Sequence, residues 1–355
     1  MIQIDPQKMS RALAALFVRY GANPNEAEEV AVHLTECNLQ GHDSHGLIRA
    51  AWYIEKIEKK EIVCSAPITV EKETQSSAVV NGHWGFGQPI CRHAMEVAIE
   101  MAQKSVVACV AVRNANHVGR LGAYTAMASA RGMVGIGMAN LHGTSHCVAP
   151  FGGIDRKLPT NPISIAFPRS GTPHFLLDMT SSIVAEGKLK IRLNRGEALQ
   201  EDWAIDHEGR PASDPRQFYD EPKGAILPLG GSVGYKGFAL SLAIDALSGA
   251  LSGAQCSNPK AKRHGNACLF LAIRIDAFLP LTDFEERIDE LVSHVKASRP
   301  APASEGIQIP GEPEFYLRRA HLAEGIQLEE TTWKQLMAKA QAVGAESDFE
   351  QCIQR

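Results

Sequence analysis

Apolar residues recur three and four positions apart over the first sixty residues, which predicts helices. Asp5-Pro6 opens one, with Met9, Leu13, Leu16, Phe17 and Tyr20 along one face and Gly21 at its end. Asn23-Pro24 opens a second that ends at Gly41, its apolar positions including Val30, Val32, Leu34 and Leu39. A third follows Ser44 and runs through LIRAAWYIEKIEKKE. The texture then changes. SSAVVNG reads as a strand, GQPICRHAMEVAIEMAQKS as a helix and VVACVAVRN as a β-branched strand. LGAYTAMASARG is helical, MVGIGMAN, PISIAFP and HFLLDM are strands, and SSIVAEGKLKIRLNRG is a helix. Residues 197–234 are loop-rich. GFALSLAIDALSGALSG follows as an apolar helix and ACLFLAIRI as a strand, and helices return near 281–298, 313–324 and 329–343. The pattern predicts a mixed α/β protein of about seven strands, its helical ends meeting as one lobe.

At roughly 150 residues per domain, 355 residues make about two domains. A net charge of −4 excludes bulk attraction to nucleic acid or acidic membranes. No apolar run approaches the ~20 residues that span a bilayer. MIQIDPQKMSRALAALFVRYG reads as a capped helix, not a signal peptide. Eight cysteines include no C-x-x-C pair, and several, such as Cys109 and Cys268, lie in apolar runs. That fits reduced, buried thiols in a cytoplasmic protein and does not fit a zinc ribbon.

Thirty glycines include no G-x-G-x-x-G and no Walker A loop, so a dinucleotide would not be held by a Rossmann turn. Two polar strings carry candidate chemistry. GHDSHG (41–46) sits between two helices and is followed by Arg49. With Ser44 as N-cap, His45 falls in the first helical turn and shares a face with Arg49. Arg offers two parallel donors to a carboxylate, and His passes a proton near neutral pH. A polar helix cap with a surface Arg is the bland alternative; a metal site from His42, Asp43 and His45 has the composition without the helical spacing. NANHVG (114–119) follows a strand, where α/β enzymes keep chemistry, and an Asn-rich turn would look the same. His142 and His146 would share a helical face, but Gly143 points to a loop.

Together these strings resemble the malate/L-lactate dehydrogenase family that lacks a Rossmann fold, whose members include hydroxycarboxylate, ureidoglycolate and sulfolactate dehydrogenases. The matching strings are GHDSHGLIR (41–49), NANHVGRLGAY (114–124), APFGG (149–153), LPTNPISIAFP (158–168), LLDMTSSIVAEGK (176–188), GYKGFALSLAIDALSGALSGA (234–254) and IPGEPE (309–314). They keep family order and spacing over nearly the whole chain. The resemblance implies a helical N-terminal segment (1–75) carrying the catalytic His. It also implies an α/β cofactor domain (76–275) with a mixed, largely antiparallel sheet, and a helical C-terminal segment (276–355) packed on the first. It implies a homodimer using NAD, with NADP possible, on a small keto or hydroxy acid; composition, charge and spacing add the expectations of a cytoplasmic protein with no metal, nucleic acid or membrane partner.

Carried over residue by residue, the resemblance makes His45 the proton donor with Ser44 beside it, and Arg49 the carboxylate clamp. His117 is implied either as a proton acceptor or as a cofactor contact, followed by Val118 and Gly119. His174, Phe175, Leu176, Leu177, Asp178, Met179, Thr180 and Ser181 become the adenosine and ribose wall, with Asp178 accepting from ribose hydroxyls. Lys236, Gly237, Pro310, Gly311 and Glu312 complete the implied cofactor contacts. Imine-reducing members carry an acid just after the glycine aligned with Gly187; this chain has Lys188. A cyclic-imine reductase, a reductase of another keto acid, a metal-dependent hydrolase and a non-catalytic dimer stand as the rival expectations.

Overall fold

A computed structural model describes residues 1–143, 146–258, 260–261, 263–302, 304 and 306–353. Helix α1 (Pro6–Arg19) starts where the Asp5 carboxylate accepts the backbone N–H groups of Gln7 and Lys8, both at 2.9 Å. Helix α2 (Pro24–Leu39) starts on a reciprocal capping box between Asn23 and Glu26. Their apolar faces join α3 (Ile48–Glu58) and two C-terminal helices in one core that includes Leu13, Phe17, Leu34, Tyr53, Trp333, Leu336 and Phe349. Ile2–Ile4 also pairs antiparallel with Ile326–Leu328, tying the beginning of the chain to its end. Val32, expected on the buried face of α2, is instead 45% exposed, because that flank of the helix borders a cavity.

The second core surrounds a seven-stranded sheet. Its strands are β1 (Thr69–Glu73), β2 (Ser77–Asn81), β3 (Val107–Ala115), β4 (Met133–His142), β5 (Ile163–Phe167), β6 (Phe175–Met179) and β7 (Gly265–Arg274). They lie in the order β1-β2-β3-β7-β4-β5-β6. Every neighbouring pair is antiparallel except β2 and β3, which are joined by the crossover helix α4 (Gly87–Ser105). The sheet is therefore mixed and largely antiparallel, as expected. β7 takes a central position and buries seven of its ten residues, which explains its apolar run. Because β7 is antiparallel to β3 and β4, its start meets their ends, and the loop at 116–121 and residues 263–264 lie at one end of the sheet. Helix α5 (Gly122–Ser129) packs on β4 and β5 from the first of those loops.

A smaller core within residues 147–226 contains Val148, Leu158, Leu189 and Phe218. The helix expected from Ser181 begins later, as α6 (Glu186–Arg195), because the hydroxyls of Ser181 and Ser182 donate to the backbone carbonyls of Thr160 and Val184. The apolar helix is α7 (Tyr235–Asp245), continued by a wider turn over Ala246–Ala250. The C-terminal part contributes α8 (Leu281–Lys296), α9 (Glu312–Glu324) and α10 (Glu330–Gln341). Among the described residues, no helix is long and apolar enough to cross a membrane.

Candidate active site

The GHDSHG string folds differently from its expected role as a helix start. Asp43–His45 forms a short 3-10 turn, and α3 begins only at Ile48 with Leu47 before it. Ser44 is therefore not the N-cap. The backbone N–H of Leu47 donates instead to Oδ1 of Asn38 on α2, at 2.7 Å. Gly46 lies so close to Asn38 that a Cβ there would sit 2.0 Å from Oδ1, which holds the turn down on α2. The turn still brings the expected side chains together. The Ser44 hydroxyl is 3.1 Å from His45 Nδ1, and Arg49 Nε donates to the Ser44 carbonyl at 2.6 Å.

From the sheet edge, the loop after β3 delivers His117 to the same place. Its ring stacks on that of His45, with centroids 5.6 Å apart and planes 21° apart. Trp52 of α3 meets His117 edge-on at 5.8 Å, and its ring lies 5.6 Å from the Arg49 guanidinium carbon. Tyr53, fully buried on α3, places its hydroxyl 2.7 Å from His117 Nδ1. Burial, and then the charge of Arg49, pushes the pKa of His45 down to about 3. The same two causes, followed by His45, hold His117 well below the ordinary range. Both imidazoles are neutral at pH 7. Gly187, at the start of α6, would place a Cβ 2.6 Å from that of Ser44, so α6 begins against the Ser-His turn; the next residue, Lys188, is exposed.

The loop is anchored on both sides. Val118 N–H donates to Asn266 Oδ1 at 3.2 Å, and Arg120 N–H donates to His33 Nε2 at 2.9 Å. Gly119 has φ +71°, and a Cβ there would lie 2.2 Å from that same nitrogen. Only glycine meets both conditions. Burial, then Arg120, lowers the His33 pKa to about 3, so its ring stays neutral and can accept this bond.

Beside this cluster lies a cavity of about 810 Å³, between α2, α4, α5, β6 and the start of α9. Of the implied cofactor residues, His174, Phe175, Leu176 and Gly311 line it. Gly311 has φ +98° and would place a Cβ 3.1 Å from the His174 carbonyl oxygen, while Leu176 N–H donates to Pro310 O at 3.1 Å. Backbone thus comes close to backbone at one wall. Asp178 stands behind α5, accepting Gly122 N–H at 2.7 Å and pairing with Arg120 at 3.4 Å. Burial raises its pKa against the pull of Arg120.

The other implied contacts are not among the lining residues. Leu177 accepts the Ser164 hydroxyl through its carbonyl, Met179 pairs with Ile163, and Thr180 and Ser181 bond to nearby backbone carbonyls. Glu312 closes its own turn by accepting Ile309 N–H and pairs with Lys296. Lys236 is exposed beside Tyr235, and Gly237 packs against Leu229. His142 ends β4 and is not helical; Trp84 meets its ring edge-on at 5.9 Å.

Residues 4–337 match the malate/L-lactate dehydrogenase family. The chain belongs to that family. It is 37% identical over 351 residues to a malate dehydrogenase of Pyrococcus abyssi, covering 97% of this chain and 95% of that protein. It is 34% identical over 340 residues to an L-sulfolactate dehydrogenase of Methanocaldococcus jannaschii, covering 94% and 95%. The solved malate dehydrogenase of Pyrococcus horikoshii superposes with a TM-score of 0.86 at 34% identity, covering 97% and 96%.

Within this member of the malate/L-lactate dehydrogenase family, four residues of the site escaped the sequence reading: His33, Tyr53, Gln88 and Arg120. His33 follows Val30 by three positions on the buried face of α2, and a His in such a stripe was a usable signal. Tyr53 lies one turn beyond Arg49. Gln88 and Arg120 gave none, because their partners are remote in the chain.

Proposed function

We propose that this chain interconverts a small 2-hydroxy acid and its 2-keto acid with a nicotinamide cofactor. One observation carries the reading: Arg49 and two neutral imidazoles are held in one cluster, with the Arg49 Nε already tied to the Ser44 carbonyl. The two remaining guanidinium nitrogens form a fork for a carboxylate. His45, steadied at Nδ1 by Ser44, exchanges the proton of the C2 oxygen. The Trp52 ring covers one side of the cluster and limits water.

The adjoining cavity suits a dinucleotide. Its volume falls within the roughly 300–1,000 Å³ of small-molecule sites, and Gly311 lets backbone reach the ligand. When bound, the nicotinamide supplies or accepts the hydride at its C4. The walls favour NAD. Each arginine among the lining residues already faces a carboxylate: Arg92 pairs with Glu29 and Glu96, Arg120 with Asp178, and Arg318 with Glu36 at 2.8 Å through both nitrogens. No arginine among these lining residues is left over to clamp an added 2′-phosphate.

A homodimer fits the surface. Leu242 and Leu247 of α7 and its continuation, and Leu251 just after it, are 46%, 39% and 59% exposed, and Val233 and Tyr235 around the start of α7 are exposed too. Lys188, at the position where imine-reducing members carry an acid, weighs against imine reduction. Absorbance at 340 nm with NADH and NADPH, across pyruvate, oxaloacetate, 2-oxoglutarate and piperideine carboxylate, tests the reading. Faster oxidation of NADH with a keto acid, unchanged by chelators, is the expected result. Turnover of the imine alone, or none without added metal, overturns it.

A further inference from the structure

We propose that Gln88 and Tyr53 are positioning residues that lock His117 as the tautomer protonated on Nε2, so that it donates a hydrogen bond and leaves proton transfer to His45. This inference rests on the dehydrogenase reading for its chemical meaning, but not for its geometry. Gln88 occupies the first turn of α4 and is 2% exposed; Tyr53 is 1% exposed. The Gln88 amide nitrogen donates to the Tyr53 hydroxyl oxygen at 2.7 Å. That nitrogen carries only protons, so the hydroxyl is the acceptor of this bond. The single hydroxyl proton is left for the other neighbour, His117 Nδ1, also at 2.7 Å. A ring nitrogen that accepts is bare, and a neutral imidazole then carries its proton on Nε2.

The reverse chain would need the amide turned over, with its oxygen toward Tyr53. The two N–H protons would then lie where Oε1 is now buried without a protein partner. A buried orphan N–H is rarer and costlier than an under-satisfied carbonyl. Burial and the neighbouring Arg49 keep the doubly protonated ring out of reach, so one tautomer or the other must be present.

The consequence separates two rings stacked 5.6 Å apart. In the oxidative direction the hydroxyl proton of the acid passes to His45, and His117 keeps its own proton and holds the oxygen in place. In the reductive direction His45 returns that proton.

Long-range ¹H–¹⁵N correlation spectra of ¹⁵N-histidine protein, recorded without substrate, read the tautomer directly, and His117→Asn identifies the signal. The expected spectrum has a protonated Nε2 and a bare Nδ1. Gln88→Glu puts a carboxylate against the Tyr53 hydroxyl. It must take the hydroxyl proton, so Tyr53 accepts from His117 and the tautomer switches to Nδ1–H. Tyr53→Phe removes the lock and should give a mixture. In turnover, Gln88→Glu should lower kcat about tenfold or more. A bare Nε2 in the wild type, or a tautomer indifferent to both variants, overturns the proposal. Should Gln88→Glu not fold, the wild-type and Tyr53→Phe spectra still decide. A protein with the expected spectra but no keto-acid turnover would refute the dehydrogenase reading and leave the lock standing.

Discussion

Arg49→Lys keeps the charge and removes the geometry, and the structure sets the expected cost. Arg49 Nε is spent on the Ser44 carbonyl at 2.6 Å, and the guanidinium lies near the Trp52 ring. Two terminal nitrogens remain, in a plane fixed by that tether. A carboxylate on this fork makes two charge-assisted hydrogen bonds, each worth about 1.5–3 kcal/mol. Lysine makes one, without a tether and without a fixed direction. Losing one bond and its orientation costs about 2–3 kcal/mol, or roughly 30- to 150-fold in kcat/KM at ~1.4 kcal/mol per decade. The contact is made before and during hydride transfer alike, so KM for the keto acid should take most of the loss. Cofactor affinity should stay within about twofold. Steady-state rates at 340 nm and a cofactor titration by fluorescence measure both. A keto-acid KM within about twofold of wild type would show that Arg49 is not the clamp.

His45→Ala should lower kcat by roughly 10² to 10⁴, the usual worth of a general acid, with circular dichroism close to wild type; retained turnover with a lowered melting point would make His45 a structural residue only. Acid should weaken the fold through the buried histidines. The folded pKa values of His33 and His45, about 3, lie below the ordinary 6.5, so the unfolded chain binds more protons between those values. Their contribution is complete above pH 6.5 and is lost as pH falls toward 3. Melting points from pH 7.5 to 5 should therefore fall, less steeply in His33→Gln, and equal slopes would contradict the assignment. Leu251→Glu places a charge on the exposed face after α7 and should shift sedimentation toward the monomer; an unchanged mass would place the interface elsewhere.

How far the sequence could be read depended on whether a residue's partner was near it in the chain. α4 was legible to its ends because amphipathic spacing and flanking turns are local signals. β1 was not, since TVEKE is an edge strand with four of its five residues exposed and has no apolar alternation to show. Ile2–Ile4 and Ile326–Leu328 are three residues each and acquire their identity only by pairing across the whole chain. In the site, Ser44, His45 and Arg49 are legible as a cluster because six consecutive residues carry them. Their local geometry was misread because Asn38, on the preceding helix, supplies the cap that Ser44 was expected to supply. Asp178 stands out at a strand end, but its partner Arg120 lies on a distant loop, and only the fold shows that the carboxylate is already engaged.

The neutrality of His45 raises a problem for reduction, which needs the imidazolium, and the arrangement contains its own answer. Two causes hold its pKa down: burial first, then the positive charge of Arg49. A keto acid acts on the second. If Arg49 is the clamp proposed above, the carboxylate would offset the charge that repels a proton from the ring and raise the pKa from about 3. Binding should therefore draw a proton onto His45 from solvent, so that the acid is loaded when the carbonyl is present. Calorimetric titration with oxamate, a non-reducible keto-acid analogue, tests this in buffers of different ionisation enthalpy. The heat should depend on the buffer, with proton uptake growing as pH is lowered from 8 to 6, and His45→Ala should abolish that dependence. Buffer-independent heats in the wild type would mean that His45 stays neutral in the complex, and the proton for reduction would then have to come from another group.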